Sequence, residues 1–286
     1  MVKAAPWVFV ALWSTGFVVA RYGTEDAGPL TFLAVRLAIA SAVLAIVAAA
    51  TNAPRPARPQ LGWAALAGLG IHSLYLGGVF LAISWGMPSG VSALIAGLHP
   101  VLTSVVGRFV LSERLRRLQW FGVALGFTGV VAVVVDHFRD DASGLGAGAV
   151  LASAISVLGM SAGTLVQRRR GTSTPLLWGT SMQYLAAASV LTVGALVHDG
   201  EGFTVTARSV FALLWAVGVL SFAAVLIMLW LLQREAAAQV SSLFFLTPAL
   251  STVEGAILFG ESMGPLALAG LVVALVGVSL TMGSTR

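Results

Sequence analysis

Only 9% of the residues in this chain are charged and 58% are hydrophobic, so each polar group inside an apolar run is a candidate for chemistry. His72 comes first, with Tyr75, Leu76 and Phe80 following it on adjoining positions of one helical face. An imidazole and a phenol side by side would offer hydrogen bonds and a stacking surface to an amino or aromatic group. The alternative is a bond to a neighbouring helix. His99 precedes Pro100 just as Thr247 precedes Pro248. Proline inside a helix lacks an N–H and frees the carbonyl four residues back, here that of Ala96 or Phe244. A carbonyl freed in this way must meet a side chain, a water or a solute, and two equivalent prolines read as a gate or hinge rather than as plain kinks. Arg36 and Glu254 are opposite charges at comparable depth, and are read as a pair that is either a static salt bridge or a proton-coupled element. Trp13 (beside Ser14 and Thr15), Gln183, Ser92, Ser241 and Ser242 complete the candidate solute-binding set. The serines could equally bond carbonyls of their own helices.

Other chemistries lack their residues. With no cysteine there is no disulfide and no thiolate metal site, and no HExxH motif or GxxxxGK[ST] loop occurs. No cofactor, metal or catalytic residue is therefore expected. A Ser–His dyad through His72 or His99 is the one enzymatic reading left.

The elements that must hold these residues are membrane spans. Mean hydropathy is +0.95, and the charged fraction falls far below the roughly 25% of soluble domains. Apolar runs predict helices over Ala5–Val19, Leu30–Ala50, Leu61–Ile83, Val91–Leu111, Leu118–Val135, Gly146–Val166, Pro175–Val197, Ser209–Leu232, Val240–Phe259 and Pro265–Met282. No period-two alternation supports a membrane barrel.

The chain is also doubled. Pro100, Gly107, Glu113, Gly122 and Gly129 recur 148 positions on as Pro248, Gly255, Glu261, Gly270 and Gly277, without a gap. The halves divide as residues 1–137 and 138–286. The first span could pass for a signal peptide. It is read as retained because Ser14 and Gly16 have counterparts 147 positions on, Ser161 and Gly163. Lys3, Arg55, Arg58, Arg108, the Arg114–Arg117 and Arg168–Arg170 clusters, Arg234 and Arg286 all fall on one side if the termini are cytoplasmic. Basic loops of this kind satisfy the positive-inside rule, so the net charge of +5 does not call for nucleic acid. An odd number of spans per half forces the second copy to enter from the opposite side, an arrangement many secondary transporters use to build two gates around one site.

The paired motif (an apolar run with Pro, then Gly, five residues and Glu, then a glycine-rich span) resembles the EamA module of the drug/metabolite transporter superfamily. The WSTGF segment around Trp13 and the position of Arg36 are similar to that family too. The resemblance implies an all-α integral membrane protein of ten transmembrane helices, built as two inverted five-helix repeats around a central cavity with the fifth helix of each peripheral. It implies inner-membrane residence and export or exchange of small metabolites, such as amino acids, by alternating access. The expected partners are a small-molecule substrate and the lipid bilayer, with apolar or aromatic amino acids favoured and amphipathic drugs as an alternative. The expected state is a monomer. A dimer is the alternative, because Gly122-x3-Gly126 and Gly144-x3-Gly148 permit close helix contact. Glu113 and Glu261 are read as turn or capping residues. The competing functions are an intramembrane enzyme using a Ser/His pair and a non-transporting receptor or scaffold.

Overall fold

In the computed structural model, residues 5–110, 116–139, 146–171, 174–200, 202–225, 227–228, 231, 244 and 246–282 are described. Among them the chain is helical and contains no strand. The helical segments are α1 (Ala5–Asp26), α2 (Pro29–Ala50), α3 (Arg58–Ser84) and α4 (Ser89–Ala96 continued by His99–Val110). Then follow α5 (Arg117–Arg139), α6 (Ala147–Val166), α7 (Leu176–His198), α8 (Ala207–Ala224), α9 (Leu246–Phe259) and α10 (Pro265–Met282). Seven of them, α2 through α8, are long and apolar enough to cross a membrane, while α9 and α10 are shorter apolar helices. Large apolar side chains such as Ile46, Leu196 and Ile257 lie on the outside, where a soluble protein would place charge. The protein is a multi-pass membrane protein.

Three departures from regular helix bear on the site. α3 widens into a π turn at Leu69–Leu74, and α8 does the same at Trp215–Ala224. Segments of this kind add a residue to the turn and redirect side chains, and they gather at functional sites. α4 breaks at Gly97–Leu98, just ahead of Pro100, where Leu98 N–H turns back to the Ile95 carbonyl at 3.0 Å. α1 continues seven residues beyond the expected Val19, to Asp26.

Helix pairing follows the 148-residue register. α2 packs on α7, α4 on α9 and α5 on α10. Thr31 at the start of α2 meets Asp199 just past the end of α7, whereas Trp178 near the start of α7 reaches Ala53 beyond α2. Ser89, opening α4, meets Glu261, which follows α9. Gly129 faces Gly270 and Ala274, and Gly277 faces Gly122 and Gly126. Each of these three pairs therefore runs antiparallel. Glycine is needed here because a Cβ at Gly129 or Gly277 would strike the partner's backbone. The Gly122-x3-Gly126 spacing thus serves an internal seam. Between α3 and α6 the approach is comparably close, since a Cβ on Gly70 would lie 2.7 Å from the Gly159 carbonyl.

Glu261, expected as a turn or capping residue, caps a helix of the other half. Its carboxylate accepts from the Ser89 N–H at 2.9 and 3.0 Å and from Ser89 Oγ at 2.8 Å, capping α4 of the other half. Gly260 (φ 65°) and Gly86 (φ 92°) adopt the left-handed conformation that turns the chain back at the ends of α9 and α3 and brings the two groups together. Glu113 lies outside the described residues.

Candidate functional site

Between the halves lies a cavity of about 130 Å³, with room for several waters or a small solute. Four of the sequence candidates, Trp13, His72, Tyr75 and Leu76, line it together with Arg36. The π turn carries His72, and the regular helix after it presents Tyr75, Leu76 and Phe80 on the same side. The His72 ring stands edge-on to Tyr184 of α7, with centroids 4.7 Å apart. A smaller adjoining pocket shares Trp13, Phe17, Tyr75 and Met160 with the first, and adds His99, Pro100, Thr247 and Pro248. Both proline segments therefore meet at the cavity floor, where a Cβ on Gly97 would lie 3.2 Å from Pro248 Cγ. The carbonyl of Ala96, freed by Pro100, is met at 3.3 Å by Nδ1 of His99. Ser104 Oγ and Thr252 Oγ1 each donate to the carbonyl of the preceding proline, Pro100 and Pro248, at 2.8 Å. No lining residue of either pocket comes from α5 or α10.

The expected Arg36–Glu254 pair does not form. Arg36 points into the cavity, and its Nε and Nη2 reach Ser221 Oγ at 3.4 Å. Glu254 sits at the α1–α9 contact, where Oε1 accepts from Ser14 Oγ at 2.6 Å. Equal depth in the membrane fixed neither direction around its helix, and the two side chains face different neighbours. Ser14 is joined to α9 a second time through Ser251 Oγ, which donates to its carbonyl at 3.2 Å. Its repeat counterpart Ser161 donates to the His99 carbonyl of α4, also at 3.2 Å.

Two more candidates lie off the cavity. Ser92 is buried in α4, its hydroxyl has no hydrogen-bond partner among the described residues, and it lines neither pocket. Gln183 is buried behind the wall, donating to Gln167 Oε1 at 3.1 Å. Ser241 and Ser242 lie outside the described residues. Sequence reasoning missed Tyr184, Leu220 and Met160, although the register contains the signal. Tyr184 and Leu220 are the counterparts of Arg36 and His72 at 148 positions, and Met160 that of Trp13 at 147.

Polar links gather at one end of the bundle. Arg208, at the start of α8, binds Asp26 at the end of α1 (2.6 Å) and also Glu25. Thr206 Oγ1 donates to the same Asp26 carboxylate at 2.6 Å, and the Thr31 N–H donates to Asp199 at 2.6 Å. The hydrogen bonds from Arg208 and Thr206 lower the Asp26 pKa to about 2, and those to Asp26 hold Arg208 above its ordinary value. At the opposite end of the α2–α7 pair the contact is the uncharged one from Trp178 to Ala53.

Comparison with known proteins gives this architecture a family. The EamA-like transporter family matches residues 5–135 and again 147–283. A Salmonella typhimurium protein named "Probable amino-acid metabolite efflux pump" is 26% identical, the match covering 97% of this chain and 93% of that protein. "Uncharacterized inner membrane transporter YedA" of Escherichia coli is 28% identical over 94% of this chain and 87% of its own. "Probable terminal-alkyne amino-acid exporter" of Streptantibioticus cattleyicolor is also 28% identical, over 97% and 93%. A solved crystal structure superposes with a TM-score of 0.65 at 20% identity, covering 99% of this chain and 98% of that one, a likeness of fold.

Proposed function

The chain belongs to the EamA-like transporter family, and from that premise we propose that it exports small metabolites across the inner membrane by alternating access. In this reading, ten spans form two inverted five-helix repeats (1–137 and 138–286), with both termini cytoplasmic. The observation that carries it is the cavity itself. It lies between the halves, it is lined in register by Trp13 and Met160, Arg36 and Tyr184, His72 and Leu220, and three pairs of equivalent helices run antiparallel beside it. Such an inverted two-fold gives two gates of opposite sense around one midplane site. The π turns of α3 and α8 and the break in α4 supply softened backbone beside the solute. Pro100 and Pro248 form the hinge at the cavity floor.

The substrate class is amino acids or their metabolites with apolar or aromatic side chains, a reading supported by the names of two relatives and by the aromatic walls. Amphipathic drugs are the alternative cargo. We read the links among Asp26, Arg208, Asp199, Thr31, Glu261 and Ser89 as fastening the outer end in a state shut toward the outside. The Ser/His enzyme reading receives less support. Ser161 touches the His99 backbone rather than its ring, and Nδ1 of that ring is engaged by Ala96. Counterflow of radiolabelled amino acids and cationic drugs in proteoliposomes tests the proposal. Saturable exchange of at least one solute is expected, and a chain that binds these solutes without moving any of them would be a receptor instead.

A further inference from the structure

Arg36 is 7% exposed, in the wall of the cavity, and no ion pair among the described residues includes it. It lies seven residues into α2, roughly 10 Å from the helix end at about 1.5 Å of rise per residue. Its described hydrogen bonds, both at 3.4 Å to Ser221, are longer than a good N–H···O bond, and the Ser221 hydroxyl spends its own hydrogen on the Ala216 carbonyl at 3.0 Å. Among the described residues no aspartate or glutamate lines the cavity or its neighbour, and the nearest expected acid, Glu254, is held by Ser14. A buried guanidinium without an anion is costly, and arginine's planar fork suits bidentate capture of a carboxylate.

The repeat sharpens the point. Arg36 occupies the place that the uncharged Tyr184 takes in the second half, and His72 the place of Leu220. The fold can fill both positions without charge, so the arginine is not a requirement of the two-fold packing. The result is a two-ended chamber, polar on the Arg36–His72 side and apolar toward Leu220 and Met160.

We infer that the carboxylate of the transported solute is the missing counter-ion of Arg36, and that the cavity selects apolar or aromatic monocarboxylates. With no acid among its described lining residues to receive an ammonium group, it gains little from one and rejects organic cations. This assignment rests on the cavity being the solute site proposed above.

The test is ligand-dependent thermal stabilisation and tryptophan quenching of the purified full chain with phenylpropionate, phenylpropionamide, phenylpropylamine and phenylalanine. The acid should bind about ten-fold or more tightly than its amide, the amine should not bind, and phenylalanine should bind no better than the acid. Arg36→Gln should abolish the preference for acid over amide, while Arg36→Lys should keep the preference at weaker affinity. If Arg36→Gln fails to fold, the wild-type panel and Arg36→Lys still decide. Equal binding of acid and amide, tight binding of the amine, or no binding of the acid would each overturn the assignment. Counterflow separates this from the transport reading. Flux of some solute with no dependence on Arg36 sinks only the carboxylate site, and Arg36-dependent binding without flux sinks only transport.

Discussion

Two residues set against each other in the sequence turn out to do separate work. Glu254 joins α9 to α1 through Ser14, and removing one partner leaves the other without that bond at a partly buried contact. Ser14→Ala and Glu254→Ala should therefore show a coupling of about 1–3 kcal/mol in a double-mutant cycle on unfolding in detergent. Additive effects would show that the contact contributes nothing. Near the start of α8, Asp26 gains its hydrogen bonds from Arg208 and Thr206 in the folded state, so its pKa is depressed to about 2. The sign is that of a carboxylate stabilised when ionised. The latch is fully present above the group's ordinary value of 3.8 and is lost as pH falls through about 2. Between pH 5 and 8 it should not titrate, and the pH dependence of flux over that range should be the same in wild type and Asp26→Asn. Asp26→Asn and Arg208→Gln should instead raise the labelling of cavity residues from outside. What could be read in the sequence at this scale was depth, because hydropathy fixes it. Azimuth could not be read, since a membrane helix that is apolar all round marks no inward face. His72, Tyr75 and Trp13 line the cavity, whereas Ser92 and Gln183 are not among the residues that line either pocket.

The helices pair through glycine where backbones must touch. Gly129→Leu or Gly277→Leu would push a side chain into the facing backbone of the α5–α10 seam, at a cost of about 3 kcal/mol or more. Gly62→Leu, with nothing near its Cβ, should be neutral. Protein yield and thermal unfolding check the contrast. The prolines belong to movement. Pro100→Ala restores an N–H to α4 beside its break at Gly97–Leu98, and Pro248→Ala does the same early in α9. Both should lower transport rate by more than they lower abundance, and equal losses in the two readouts would leave only a folding role. The doubled register was legible because Pro, Gly and Glu are hard to place by chance. The cap from Glu261 to Ser89 was not, because it joins the halves across a long separation that no local pattern encodes.

At the scale of the molecule, α2, α4 and α5 each pack on their own counterpart, α7, α9 and α10, whereas α3 packs on α6. An antiparallel arrangement lets identical glycine patterns interlock, as Gly122 with Gly277 and Gly129 with Gly270. The same two-fold leaves one chamber whose walls come from both copies, and that chamber is where the chemistry diverged between them. The absence of native cysteine makes the geometry open to direct measurement. Ala57 and Val205 are exposed, stand 148 positions apart, and immediately precede the openings of α3 and α8. With single cysteines placed there and intact cells treated with a membrane-impermeant maleimide, Val205→Cys should react from outside and Ala57→Cys only after the membrane is opened. Reaction of both from the same face would contradict the inverted arrangement, and with it the two gates on which the proposed transport depends.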